Sequence, residues 1–360
     1  MAAFLGQPEV SHFAVMVDLT ALSPRVFCLG EALVDRLGPL GGDPATAAPE
    51  SCDDRLGGAP ANVACALARL GTPVGLIARS GEDAIGADFL ELFQRRGVDV
   101  QALQSDPSRP SRVVLVRRDA NGERVFHGFA GDQSLGFADQ MLDRAELEAV
   151  WPGVSEQARW LLTGTIPLAT PASAETLHWL LAQAKTAGIS LALDVNWRPT
   201  FWDVQADPAA GPDSSALAAM EPLLDQVALL KLAREEALWL FDSDAPSVIR
   251  ASLPQHPDVV VTDGGNPVRW TIAGHAGTMP VLTPARVVDT TGAGDAFTAG
   301  LLHQLVALSA QADLSRDCDS ALVETMVRYA AACGALVCVG AGGIDPQPDP
   351  DAVADFLNQA

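Results

Sequence analysis

The sequence predicts an α/β fold, a mostly parallel sheet flanked by helices and carrying a small β appendage, and three observations lead there. Short β-prone runs alternate with helical stretches over most of the chain, the pattern that yields parallel strands joined by crossover helices. Between about Val98 and Phe129 the alternation stops and strand-like runs follow one another directly. Hairpins allow this, whereas parallel pairing needs an intervening helix. Late in the chain a glycine-rich segment, 289–300, opens into an apolar helical stretch, the arrangement from which anion sites are built.

Residues 1–24 are weakly patterned, end at Ser23-Pro24 and read as an extension ahead of the domain. The first convincing strand is Arg25–Leu29, followed by a Gly/Pro/Ala-rich stretch from Gly38 to Pro49 that reads as loop. Ala61–Leu70, rich in Ala and Leu and closed by Gly71, predicts a helix, and Val74–Ala78 a short buried strand. The runs Val98–Leu103, Arg112–Arg117 and Arg124–Phe129 predict a small antiparallel appendage, with an Asn121-Gly122 turn joining the last two. Alternation then resumes with strands at Trp160–Thr163, Ser190–Leu193, Val227–Leu230 and Val259–Thr262. Asp203–Ser215 reads as an exposed loop insertion, Trp270-Thr271 and Gly277–Pro280 as a second hairpin, and Ala296–Ala310 and Ser320–Val337 as helices.

A formal charge of −22 over 360 residues argues against nucleic acid or an anionic membrane as partner, because such surfaces are held by clustered Lys and Arg. A small-molecule substrate fits better. If that substrate is itself an anion, backbone N–H groups, a few cations and a metal must be concentrated at one place. The six cysteines form no Cys-x-x-Cys pair and no metal-spaced cluster, and Cys28, Cys65 and Cys333 sit among apolar and small residues. They read as reduced core thiols. No apolar run approaches a membrane span and no charged leader precedes an apolar stretch, so the expected compartment is the cytoplasm.

The chemistry concentrates in Asp289-Thr290-Thr291-Gly292-Ala293-Gly294-Asp295. Gly292, Ala293 and Gly294 leave consecutive backbone N–H groups free to turn toward a phosphate oxygen, and the helix that follows adds its unpaired donors and positive dipole end. Such a hole stabilises charge on a transferring phosphoryl group. Asp295 falls in the first helical turn, where a carboxylate either caps the helix or serves as a base. Gly57-Gly58-Ala59-Pro60-Ala61-Asn62 lets backbone approach a ligand closely and places an amide there; an ordinary glycine turn has the same look. Asp35 and Asp194 stand at carboxyl ends of strands, the edge where open α/β sheets bind ligands. Neither a Gly-x-x-x-x-Gly-Lys-Ser/Thr loop nor a Gly-x-Gly-x-x-Gly helix opening after the first strand is present, which lowers P-loop and dehydrogenase readings.

Taken together, these residues resemble the ribokinase-like (PfkB-type) carbohydrate kinases, and within them fructokinases. The resemblance runs from about Val26 to Pro348. It includes Gly30-Glu31 with Asp35, the first signature at 57–64, Ser80-Gly81-Glu82-Asp83, Asp194-Val195-Asn196-Trp197-Arg198-Pro199, Val261-Thr262-Asp263-Gly264 and the second signature at 289–300.

The resemblance implies a Rossmann-like kinase domain over 25–348 with a β-sheet lid from segments near 30–56 and 98–132, a tail at 349–360, and a homodimer formed through the lid. It implies ATP, Mg²⁺ and K⁺ as companions of a sugar. By the resemblance Asp295 is the base and Gly292, Ala293 and Gly294 the anion hole. Asp35, Gly57, Gly58 and Asn62 hold the sugar, and Arg198 lies near the phosphates. Lys231, Thr262, Gly264 and Gly294 border the nucleotide. Asn196 and Glu235, or the adjacent Glu236, belong to the Mg²⁺ network, and Asp289, Thr291 and backbone at Ala341–Gly343 to a monovalent-cation site.

Two departures stand out: Pro267 replaces a second glycine in the Val-Thr-x-Gly-x-x-Gly segment, and the lid segment Phe126–Gln133 differs from common fructokinase wording. The expected reaction is fructose to fructose 6-phosphate. The alternatives are a 2-keto-3-deoxygluconate kinase, a ribokinase-like kinase of another sugar, and a catalytically silent, kinase-shaped binding protein.

Overall fold

A computed structural model describes residues 23–119, 124–131, 134–309 and 318–359. Nearly all of the N-terminal extension, the Asn121-Gly122 turn and Asp132-Gln133 lie outside the described residues. The first part of the chain folds as β1 Val26–Leu29, β2 Leu33–Leu40, β3 Asp53–Gly57, α1 Ala59–Arg69, β4 Val74–Gly81, α2 Ala84–Arg96, β5 Leu103–Asp106, β6 Val113–Arg118 and β7 Arg124–Phe129. The middle continues with α3 Arg144–Val154, β8 Trp160–Thr163, α4 Pro171–Thr186, β9 Ser190–Asp194, α5 Pro199–Trp202, α6 Ser214–Leu224, β10 Val227–Ala233, α7 Arg234–Phe241 and α8 Pro246–Ser252. Then come β11 Asp258–Asp263, β12 Asn266–Ile272, β13 His275–Met279, α9 Ala293–Ser309, α10 Ser320–Val337 and α11 Pro350–Gln359.

The main sheet has the order β13-β12-β11-β10-β9-β8-β1-β4-β5. It is parallel from β5 to β11 and antiparallel at the β12–β13 edge. Strand β1, Val-Phe-Cys-Leu, is wholly buried, as expected of a parallel strand covered on both faces. Its side chains alternate between two cores. Val26 and Cys28 join the layer of α1, α2, α9 and α10, while Phe27 and Leu29 join the layer of α3, α4 and α6.

The smaller sheet, β3-β2-β6-β7, is mixed. Its outer pairs are antiparallel, but β2 runs parallel to β6, with Val34 opposite Val113. The wholly antiparallel appendage expected from the sequence is therefore corrected, because the chain re-enters this sheet at β6 after crossing back through the main one. That crossing is β5, which pairs parallel with β4 in the main sheet. Val98–Leu103 is consequently not a lid strand. Asp99 makes a single parallel bridge to Gly75 of β4 in the main sheet and accepts from the Gln101 amide in a local turn, and the buried Val98 and Ala102 flank it on the core side.

Strand β2 extends through Gly38-Pro39-Leu40, where loop was expected, and Pro39 sits at a register irregularity facing β6, a place where a missing donor is tolerated. Residues 349–360 are not a loose tail either: α11 occupies most of them and buries Val353 against the α10 layer. By length and composition α10 could cross a membrane, against the expectation that no run approaches that length. In this fold its Val323, Met326, Val327 and Ala330 are fully buried in the core, which makes it a core helix.

Candidate active site

The carboxyl ends of β1, β9 and β10, the start of α9 and the smaller sheet enclose a cavity of about 490 Å³. Among its walls are Asp35, Asn62, Arg198, Lys231 and Asp295. A second cavity of about 480 Å³ lies on the β11 side, lined by Thr262, Gly264, Val281, Phe297 and Ala335 among others. The two cavities share Thr290, Ala293 and Gly294. A ligand in each would meet at the start of α9.

That junction is a constrained piece of backbone. Gly292 has φ +76°, and a Cβ there would stand 2.6 Å from the Gly343 Cα, so only glycine fits the turn. Asp289 fastens the approach: its carboxylate accepts from the Thr291 amide at 3.0 Å and hydroxyl at 2.7 Å, and from the Gly342 amide at 2.9 Å. Helix α9 begins at Ala293; the Ala293 amide donates to the Thr290 carbonyl at 3.2 Å, and Gly294, in the first turn where helix amides lack intrahelical acceptors, lines both cavities.

Asp295 Oδ2 accepts a hydrogen bond from Asn62 Nδ2 at 2.7 Å. Burial pushes its pKa up to about 6, with Asp194 adding repulsion, while Asn62, Lys231 and Arg198 pull the other way. A carboxylate so poised is ionised near neutrality yet basic enough to take a hydroxyl proton. Behind it, Lys231 Nζ lies 3.0 Å from Asp194 Oδ1, and Asp194 Oδ2 accepts from Thr298 Oγ1 at 2.9 Å. Burial opposes the Lys231 charge, but Asp194 and Glu236 outweigh it and hold the ammonium's pKa above its ordinary value.

The profile of the pfkB family carbohydrate kinases matches residues 23–350. The chain belongs to that family. A probable chloroplastic fructokinase-6 of Arabidopsis thaliana is 31% identical over 346 residues, 95% of this chain and 84% of the relative. The fructokinase of Xylella fastidiosa with bound ATP superimposes with a TM-score of 0.76 at 26% identity, covering 94% of this chain and 99% of that one. The Vibrio cholerae O395 fructokinase in its fructose-, ADP- and calcium-bound form gives 0.73 at 26% identity, covering 93% and 99%. The enzyme is accordingly a sugar-phosphorylating phosphotransferase with a ribokinase-like fold.

The residues expected in the kinase site fall into place unevenly. Asp35, Gly58, Asn62, Asn196, Arg198, Thr291, Gly292, Ala293, Gly294 and Asp295 all line the first cavity. Gly57 stands just behind, where a Cβ would lie 3.4 Å from Asp35 Oδ2. Thr262 and Gly264 line the second cavity. Lys231, expected beside the nucleotide, instead faces the first cavity and a smaller neighbouring one, at the foot of Gly294. Arg198 has no ion-pair partner among the described residues; it donates only to the Trp197 carbonyl at 2.8 Å and keeps its charge at the cavity.

Of the adjacent glutamates, Glu236 is buried and accepts from the Trp197 and Ala233 amides, both at 2.7 Å. Glu235 is exposed beside Asn196 in the neighbouring cavity. Gly343 lies outside the cavity wall, packed against Gly292 and Asn62. His127 is a lid-strand residue that pairs with Asp43 at 3.0 Å and does not line the cavity.

Three features of the site were given no role by the sequence, Glu31 having entered only as part of the family resemblance. Glu31, 3% exposed, lines the first cavity. The lid side of that cavity is an apolar wall of Leu33, Val114, Val116, Phe126 and Phe201. Pro208, from the insertion expected to be merely exposed, reaches both the first cavity and its neighbour.

Proposed function

We propose that the enzyme transfers the γ-phosphoryl group of ATP to the primary hydroxyl of fructose, with Asp295 as the base. The observation that carries this reading is the Asp295 carboxylate, held by Asn62 at the junction of the two cavities with its pKa raised to about 6. The sugar occupies the cavity under the lid and the nucleotide the one beside β11. Asp295 takes the hydroxyl proton while the sugar oxygen bonds to the γ-phosphorus. The bond from that phosphorus to its bridging oxygen breaks, and ADP leaves. The N–H groups at Gly292–Gly294 and the Arg198 guanidinium face the phosphoryl charge, the role that dominates such reactions. Lid contact keeps water from competing with the sugar hydroxyl.

The fructose- and ADP-bound relative supports the choice of sugar, and so does the cavity wall. Apart from Asp35, its lid side is apolar, and the cations lining the cavity, Arg198 and Lys231, come from the segment after β9 and from β10 rather than from the lid. The nearby Arg112 is sealed away by Asp139 at 2.7 and 2.9 Å. This favours a neutral sugar over 2-keto-3-deoxygluconate, whose carboxylate would meet no cation under the lid.

Oxygen donors from Glu235 and Asn196 suit Mg²⁺, which binds through one or two carboxylates plus substrate phosphates; it would neutralise phosphate charge. Asp289, Thr291 and the backbone at Gly343 are the proposed monovalent-cation neighbourhood, for K⁺. A homodimer through the lid would cover the exposed Leu40 and Val125. The six free cysteines suit the reducing cytoplasm.

The test is ADP release with ATP and Mg²⁺ over fructose, ribose, 2-keto-3-deoxygluconate, glucose and adenosine, with and without K⁺. Selective turnover of fructose supports the reading. Turnover of another sugar moves the substrate and keeps the mechanism, whereas none on any sugar turns the reading toward a silent binder.

A further inference from the structure

Helix α1 carries Asn62, the residue that holds Asp295, yet it starts without a cap of its own. Its N-cap is Gly58, at φ +101°, with no side chain to accept from the first amides. Unsatisfied N–H groups at a buried helix start are costly, and a carboxylate near them is stabilising. The missing acceptor comes from another element: Glu31, in the loop after β1, accepts from the Ala59 amide at 3.0 Å.

The fit of the two segments is tight in both directions. A Cβ on Gly58 would stand 2.4 Å from the Glu31 carbonyl oxygen, and one on Gly30 would stand 2.5 Å from Pro60 Cγ. The other carboxyl oxygen of Glu31, Oε2, is buried with no hydrogen-bond partner. A carboxyl kept in such surroundings, where burial lifts its pKa to about 7, is a poor choice for stability alone. Its hydrogen-bonded oxygen points to a task, and the task lies one turn along α1. Asn62 donates its amide to the Gly58 carbonyl at 2.8 Å, and its side chain to Asp295.

We propose that Glu31 is a positioning residue for phosphoryl transfer: it caps α1 from outside the helix and thereby fixes Asn62 against the Asp295 carboxylate. The proposal rests on the reading of Asp295 as the base. Loss of Glu31 lets the first turn of α1 fray, Asn62 drifts, and Asp295 loses its aim more than the sugar loses its affinity. Misplacements of this kind, by about 1 Å, cost up to about a hundredfold in rate.

The experiment is a double-mutant cycle on kcat and on the KM for fructose with Glu31→Ala, Asn62→Ala and the pair, alongside Glu31→Gln and Asp295→Asn. Glu31→Ala should lower kcat by about tenfold or more with a smaller change in KM, and should add less than about twofold once Asn62 is already Ala. Glu31→Gln, whose carbonyl still accepts from Ala59, should recover most of kcat. Full additivity of the two substitutions overturns the proposal, as does a Glu31→Gln variant no better than Glu31→Ala. Near-normal turnover of Asp295→Asn would instead remove the base while leaving the measured coupling between positions 31 and 62 to stand. If Glu31→Ala fails to fold, the comparison of Glu31→Gln with wild type in the Asn62→Ala background still decides, because any large loss there contradicts action through Asn62.

Discussion

The two cavities that meet at Gly294 are built on opposite principles. On the proposed sugar side directional bonds dominate: Asn62 donates to Asp295 at 2.7 Å, Lys231 and Thr298 hold Asp194 at 3.0 and 2.9 Å, and charge alone links the two groups. On the proposed nucleotide side the lining is mostly apolar, with Val281, Leu282, Phe297, Ala331 and Ala335, joined by Thr262, Asp263 and the Gly264-Gly265 turn. The first side can align and deprotonate. The second supplies an apolar slot whose fit depends on shape. In the proposed reading, orientation at the reacting hydroxyl is fixed by directional bonds, while the donor is held largely by packing. Substitutions on the two sides should therefore fail in different ways.

The largest stability effect is expected at Lys231. Lys231→Met leaves Asp194 buried and uncompensated, which should cost about 3–5 kcal/mol, read by denaturant unfolding, and should also depress kcat. Gly292→Ala comes next. Its Cβ would clash with Gly343 in a left-handed turn, and removing one set of anion-hole donors costs about 10²–10³ in kcat; a KM for fructose that moved more than kcat would break the comparison.

On the apolar side, Ala331→Leu should raise the KM for ATP several-fold and leave the KM for fructose unchanged. Equal changes in both would show the cavities to be coupled in a way this geometry does not contain.

The smallest effect is on pH. With Asp295 at about 6 against an ordinary 3.8, kcat/KM should fall as pH drops through about 6, because the protonated form cannot serve as base. For stability the sign is opposite. The fold holds this proton more tightly than the unfolded chain, so the Asp295 contribution to stability is full below about pH 4 and is lost as pH rises through about 6. Asp295→Asn should flatten that decline in thermal unfolding curves.

How much of this the sequence disclosed follows the same division. Asn62 and the 292–295 segment stood out because polar residues among glycines at a helix start have few structural reasons to be there; Asp35, expected at the carboxyl end of a strand, instead lies within β2 of the smaller sheet, paired with Arg55 and Val114, and reaches the cavity from the lid. The apolar walls were not legible, since Val281 or Ala331 in a ligand slot looks the same in sequence as Val260 or Ala330 in the core. Lys231 was legible as a site residue but not its place, because only the fold brings it to Asp194. In the fold, Trp160–Thr163 and Ser320–Val337 matched their expected bounds. Val98–Leu103 did not: its alternating apolar residues suit a strand, yet it makes only a single-residue bridge from Asp99 to Gly75 of β4 before the Asp99–Gln101 turn, and continuous pairing starts at Leu103–Asp106. Glu31 was part of the family resemblance but was given no role, because its hydrogen bond reaches across 28 residues to Ala59.

The most direct test of the account is turnover and ligand binding of Asp295→Asn. The account predicts a loss in kcat of about 10²–10⁴, with calorimetric binding of fructose and ATP retained, since Asn keeps the shape and a hydrogen bond to Asn62. Near-normal turnover would contradict it.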